Sequence, residues 1–259
     1  MNKVREVEKF IGDKRLYLTH YEAKGEKYVI FLPPLFEEMP RTRKCMVNTA
    51  RYLADKGFDV IRFDYYGTGL SYGKFEEFYL EQAREDVAQV VDFCVKLGAQ
   101  NISLLGFRFG AFLAAEFAVK ANIKKIILWE PVCDLGQYLD ECFKSLAIDQ
   151  VVTYGKVKYT NEELIKELKS EGKLLVGGYA LGLKAYDDLC HSLPLGKSEL
   201  SSCRIVVWRR STLNRYSFLS ELDVTFCDTV KLAWDHIKYL YHESQELGEV
   251  TCKYLGGGI

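Results

Sequence analysis

Residues 101–105 (NISLL) read as a buried strand that runs directly into Gly106-Phe107-Arg108-Phe109-Gly110 and then into an alanine-rich helical stretch at 111–121. Glycines on both sides of one tip residue are what a very tight reversal needs, because a β-carbon at either position would strike neighbouring backbone. A strand that feeds a helix without a linker is the building step of a parallel βαβ unit. A parallel sheet has to be covered on both faces, so this feature alone points to an α/β architecture rather than an all-α or all-β one.

The rest of the chain repeats the step. Short apolar, β-branched runs at 28–32 (YVIFL), 58–63 (FDVIRF) and 125–129 (KIILW) are expected strands. They alternate with helical patterns at 43–56 and 78–97, closed by Gly57 and Gly98. Residues 8–22 hold two short strands broken at Gly12-Asp13. From about 134 to 198 the alternation stops: Thr160 and Glu163 form a capping box that opens a helix, and 186–193 reads as a second short one, with no clear strand between. Strands resume at 204–208 and 224–227, and a helix is expected near 231–245. The prediction is one domain over 1–259, a mostly parallel central sheet with helices on both faces and a small helical cap inserted at about 134–198.

Composition narrows the function. Of 259 residues 48% are hydrophobic, too many for disorder, and Lys+Arg 35 against Asp+Glu 36 gives a net charge of −1. Such a chain has no field to gather nucleic acid, and neither is an anionic membrane its default partner. The first twenty residues carry charges throughout with no apolar h-region, and no run approaches a membrane span. The eight cysteines form no C-x-x-C pair and have no zinc-ligand spacing, so reduced, buried thiols in a cytoplasmic protein are expected, with no metal and no cofactor. A small-molecule ligand or a protein contact remains; the oligomeric state is open.

The framed tip and its flanking elements resemble the nucleophile elbow, G-x-S-x-G, of the α/β-hydrolases. Asp64-Tyr65-Tyr66-Gly67-Thr68-Gly69-Leu70-Ser71 is similar to the D-x-x-G-x-G-x-S stretch that follows the preceding strand in many of them. Within that superfamily, Leu32-Pro33-Pro34-Leu35-Phe36-Glu37-Glu38-Met39 with Arg41 and Arg43 resembles the PPF-x-EE segment of the exosortase A system-associated hydrolases, bacterial proteins related to the serine aminopeptidases. Gly177-Gly178-Tyr179-Ala180-Leu181 is similar to that family's GY-x-L stretch. The resemblance implies an α/β-hydrolase fold and a context in surface-polysaccharide or protein-sorting metabolism. Fold does not by itself imply chemistry.

The tip residue decides the chemistry. Arg108 stays protonated at any accessible pH, so it is neither nucleophile nor base, and the ordinary serine triad is absent. The position after the seventh strand of the fold lacks a carboxylate; Asp134, after the sixth, is a substitute in principle. Of four histidines, His236 lies where the fold places its catalytic base. Glu37 and Glu38 occupy the loop that normally supplies an oxyanion amide, beside Phe36. Two arrangements follow. Arg108 and Glu37 form a partly buried ion pair that fills the site, or Arg108, the helix N-terminus and the Phe109 amide bind an anion, with Glu37 or Glu38 as base on water. The candidate catalytic residues are therefore Arg108, Glu37 and His236, and the candidate ligand contacts Glu38, Phe36, Phe109 and Asp134. Three functions stay open: a serine-less binder of a small anionic or acyl-type ligand with weak or no hydrolysis, an ester or thioester hydrolase with a displaced catalytic set, and a non-catalytic partner protein.

Overall fold

The computed structural model describes residues 4–228, 230 and 245–257. Among them, strands β1 (Arg5–Ile11), β2 (Leu16–Glu22), β3 (Lys27–Leu32), β4 (Asp59–Phe63), β5 (Asn101–Phe107), β6 (Lys125–Trp129), β9 (Arg204–Val207) and β10 (Val224–Phe226) form one sheet in the order β1-β2-β4-β3-β5-β6-β9-β10. The β1–β2 and β2–β4 pairs are antiparallel and every other pair is parallel. Helices α1 (Glu38–Asp55), α2 (Leu80–Lys96) and α3 (Phe109–Ala121) are the crossovers, and α9 (Gln245–Leu255) follows β10.

The apolar runs of the central strands sort residue by residue onto the two faces, as a period of two requires. Tyr28, Ile30 and Leu32 of β3 join Leu104 of β5 and the buried sides of α2 and α3. Val29 and Phe31 point the other way, with Leu105, Phe107, Met46 and Ala50 of α1, and Leu247 and Cys252 of α9. Helix α9 was not expected, and the helix anticipated near 231–245 lies, except for Gln245, outside the described residues.

Between β6 and β9 lie α4 (Leu135–Tyr154), α5 (Asn161–Glu171), α6 (Leu183–Cys190) and α7 (Lys197–Leu200). The expectation of a segment without strands needs correction. Strands β7 (Lys173–Val176) and β8 (Tyr179–Gly182) pair there as an antiparallel hairpin. Gly177 and Gly178 both take positive φ, 55° and 85°, the requirement of the two-residue turn whose twist suits a hairpin. Strands of four residues are too short for their alternation to show.

The stretch after β4 is a stiffened turn. The Asp64 carboxylate accepts the Leu70 amide at 2.9 Å, and a β-carbon on Gly69 would fall 2.1 Å from that same oxygen. Ser71 accepts the Tyr17 amide at 2.8 Å and donates to the Asp64 carbonyl, so its hydroxyl ties β2 to this turn. Asp86 of α2 holds the turn from below, accepting the Tyr66 amide at 2.7 Å and the Gln82 side-chain amide at 2.8 Å. Burial pushes its carboxyl up to about 6, against the pull of those two hydrogen bonds. The folded state therefore prefers neutral Asp86, and that contribution is complete below the ordinary value of 3.8 and lost as pH rises through about 6. Relative to Asp86→Asn, the wild-type protein should lose roughly 2 kcal/mol between pH 4 and pH 7. Urea melts of both proteins across that range check it. A difference that does not change with pH would mean Asp86 titrates as an ordinary carboxylate.

Candidate functional site

Strand β5 ends at Phe107, α3 begins at Phe109, and Arg108 between them has φ 52° and ψ −113°. That is a strained conformation for a side-chain-bearing residue, and the close packing around it explains why it persists. A β-carbon on Gly106 would lie 2.3 Å from the Gly110 carbonyl oxygen, and one on Gly110 would lie 2.0 Å from the Leu32 carbonyl oxygen. The two flanking glycines thus let α3 sit directly on the end of β3. The Arg108 amide donates to the Trp129 carbonyl of β6 at 3.0 Å.

The Arg108 side chain is only 3% exposed and faces acids from two helices. Its Nε lies 3.0 Å from Glu38 Oε1 in the first turn of α1, and its Nη2 lies 2.7 Å from Glu141 Oε2 on α4. Tyr138, one turn before Glu141, donates its hydroxyl to the other Glu38 oxygen at 3.0 Å, and its ring lies 5.5 Å from the guanidinium carbon. Arg215, at the end of α8 (Arg210–Arg215), pairs with Glu141 from the far side. Desolvation works against the Arg108 charge, and the Glu38 carboxylate and the other groups around it more than offset that, so its pKa moves up. Among the described residues, two cations and two carboxylates alternate through these ion pairs, and the formal charges of the four cancel.

The structure therefore corrects the expected Arg108–Glu37 pair. Glu37, the N-cap residue of α1, is half-buried and pairs with Arg41 one turn on, while Glu38 takes the place beside Arg108. The reason is the start of α1, five residues ahead of the expected 43. Pro40 falls in the first turn, where a missing N–H costs nothing, so the helix begins at Glu38 and turns that residue inward. Asp134, expected as a ligand contact, caps α4, its side chain accepting the Gln137 amide at 2.9 Å and the Gln137 side-chain amide at 3.2 Å. His236 and His242 lie outside the described residues. His20 is buried and bonded to Asp59 at 2.6 Å, and His191 closes α6 through the Asp187 carbonyl at 2.7 Å, so neither approaches Arg108 as a base.

Phe36 holds φ 53° in the loop after β3 and is 4% exposed. Its ring centroid lies 5.3 Å from Phe75, 6.1 Å from Tyr138 and 6.3 Å from Tyr179 of the hairpin. This aromatic cluster is the apolar wall next to the charged one. The Phe109 ring packs into the core against Tyr65 and Phe78 at 5.8 and 5.9 Å. Its amide sits in the first turn of α3, where helix geometry provides no acceptor.

Two acids escaped the sequence reading. Glu141 gives no signal beyond a helical pattern. Glu130 does give one, a charge set directly at the end of the apolar run KIILW and before Pro131. It is fully buried with φ 45°, and its carboxylate accepts the Trp208 and Arg209 amides at 2.6 and 2.7 Å and the Thr212 hydroxyl. Burial raises its pKa, opposed by those three bonds and by the Arg108 charge. Glu130 thereby anchors the loop after β9, where a carboxylate is missing from the sequence. Burial also pushes the thiols of Cys45, Cys94, Cys133 and Cys203 to about 12, so none of these four is a ready nucleophile. Among the described residues, no set of three or more His, Cys, Asp or Glu side chains is arranged to hold a metal, and no helix is long and apolar enough to cross a membrane.

A family model described as alpha/beta hydrolase fold matches residues 29–240. An acyl transferase of Aliivibrio fischeri is 25% identical over 206 residues, 77% of this chain and 62% of that protein. One of Photobacterium leiognathi is 26% identical over 142 residues, 54% of this chain and 42% of that protein. The chain thus spans less than two thirds of the length of these relatives. Among solved structures, ferulic-acid-bound Est1E from Butyrivibrio proteoclasticus superposes with a TM-score of 0.63 at 17% identity, covering 95% of this chain and 97% of that one. DcsB in complex with its substrate analogue gives 0.62 at 18% identity, covering 98% and 99%.

Proposed function

Because the chain belongs to the alpha/beta hydrolase fold family, we propose that it is a member in which the elbow no longer carries a nucleophile and the crevice above it binds a small acyl-type ligand with weak or no hydrolysis. The observation that carries this reading is the buried Arg108 at the tip, held by Glu38 and Glu141. A guanidinium cannot attack a carbonyl, and this one is already engaged where an attacking oxygen would stand.

The ligand is an acyl-type one rather than a free anion. Charges in the cluster already balance, so an incoming carboxylate or phosphate would have to displace Glu38 or Glu141 and leave it without its partner. A neutral acyl or thioester group needs no such exchange, and the partly exposed rings of Phe75 and Tyr179, packed on Phe36, offer apolar surface for it. The acyl transferase names of the relatives agree with that ligand class. A role in bacterial surface-polysaccharide or protein-sorting metabolism is part of the same proposal and rests on the segment from Pro33 to Glu38.

The test is a panel of esters and thioesters offered to the pure protein, to Glu37→Gln and to Arg108→Ala. Turnover at the buffer rate is expected, together with thermal stabilisation by a non-hydrolysable acyl thioester, which reaches about 2.7 kcal/mol at a hundred times Kd. Turnover that drops more than about tenfold in both variants, or about 1.4 kcal/mol in the barrier, would instead make this a hydrolase with a displaced catalytic set. Absence of turnover and of any ligand stabilisation, with a stable protein complex in its place, would favour the partner reading.

A further inference from the structure

The C-terminal half of α4 and the turn that follows it are built as a projecting, unusually apolar knob. Ile148, Val151, Val152, Tyr154, Val157 and Tyr159 are all exposed there, Val152 to 81% and Tyr154 to 56%. The knob is folded rather than loose. The Gln150 side chain accepts the Lys158 and Tyr159 amides at 2.9 and 2.7 Å and donates to the Tyr159 carbonyl at 3.1 Å. Gly155, with φ 73°, closes α4 by donating to the Val151 carbonyl. The Lys158 ammonium lies 5.2 Å from the Tyr154 ring centre and 5.1 Å from that of Tyr159.

The chemistry of the knob is specific. From 148 to 159 the chain reads IDQVVTYGKVKY, with two lysines, two tyrosines, three valines and a single acid, Asp149. Valine enters the acyl boundary of a bilayer, tyrosine rings settle at headgroup level, and lysines meet lipid phosphates. A protein-binding face of this size would be depleted of lysine at its centre. We infer that residues 148–159 are a docking surface for an anionic lipid bilayer, with Val152 and Tyr154 entering the interface and Lys156 and Lys158 on its phosphates.

With a net charge of −1 the chain as a whole supplies no attraction, so the contact depends on these two lysines and is strongly salt-sensitive. Val152 lies about 16 Å along α4 from Glu141, given a rise of about 1.5 Å per residue, so the surface is separate from the Arg108 cluster and independent of its chemistry.

Flotation of the full chain with phosphatidylcholine vesicles, with and without phosphatidylglycerol and at low and high salt, tests it. The protein should float with the anionic vesicles at low salt and leave them at high salt. Val152→Asp and Lys156→Glu/Lys158→Glu, both at exposed positions, should each weaken partitioning by at least about tenfold. Val119→Asp, at an exposed apolar position on α3, should bind like the wild type. Failure to bind anionic vesicles, equal binding to neutral ones, or unchanged binding by the knob variants would overturn the inference. So would a wild-type dimer in sedimentation that Val152→Asp converts to monomer, which would assign the surface to a second copy.

Discussion

Arg108→Ala is expected to lower the unfolding free energy by about 3 kcal/mol, because it strands carboxylates that were paired out of water. The value sits at the low end for a buried pair for two structural reasons. Glu141 keeps Arg215 as a counter-ion, and its side chain is 27% exposed, so Glu38 is the acid left without compensation. Tyr138 still donates to Glu38 and softens the loss. In a chain of this size the melting temperature should fall by roughly 6–12 °C. Adding Glu38→Gln to Arg108→Ala should restore much of it, and a double-mutant cycle should give a coupling of about 2 kcal/mol. If the two single effects simply added, Arg108 would owe its burial to packing alone.

Gly110→Ala should cost as much without touching a charge. The added β-carbon would sit 2.0 Å from the Leu32 carbonyl oxygen and 2.7 Å from that of Pro33, both backbone atoms that cannot swing aside. Pushing α3 off the end of β3 is expected to cost about 3 kcal/mol, at the upper end for overpacking. Gly98→Ala is the control: nothing lies within 4 Å of its new β-carbon, and only the positive φ of 94° penalises it, by about 1 kcal/mol. Chemical denaturation of the two variants separates contact from conformation. Equal losses would show that the packing of α3 on β3 yields easily.

Much of the scaffold is legible in the residues alone, and particular segments say why. The runs at 28–32 and 125–129 are continuous apolar segments because parallel strands are buried on both faces, which marks them without ambiguity. The Thr160–Glu163 capping box is a local device, read from four residues and found where it was expected. Less legible are pieces whose signal is short or depends on distant partners. The β7–β8 hairpin has four-residue strands, too few for a pattern. The start of α1 is obscured by Pro40, which reads as a breaker until its place in the first turn is known.

The site divides the same way. By itself the sequence determined that the tip of the elbow is an arginine framed by two necessary glycines and that acids stand in the loop after β3. The proposal that serine chemistry is lost at this turn rests on that residue, since the identity of a side chain decides whether it can donate an electron pair. Which acids meet the arginine was decided only by tertiary structure. Glu37 and Glu38 are adjacent and chemically alike, but neighbours on a helix are turned about 100° apart, so one meets Arg41 and the other Arg108. Glu141 arrives from 33 residues further along the chain, and Arg215 from another element again. Ion pairs between elements depend on positions in space, and no local pattern in a single chain encodes them.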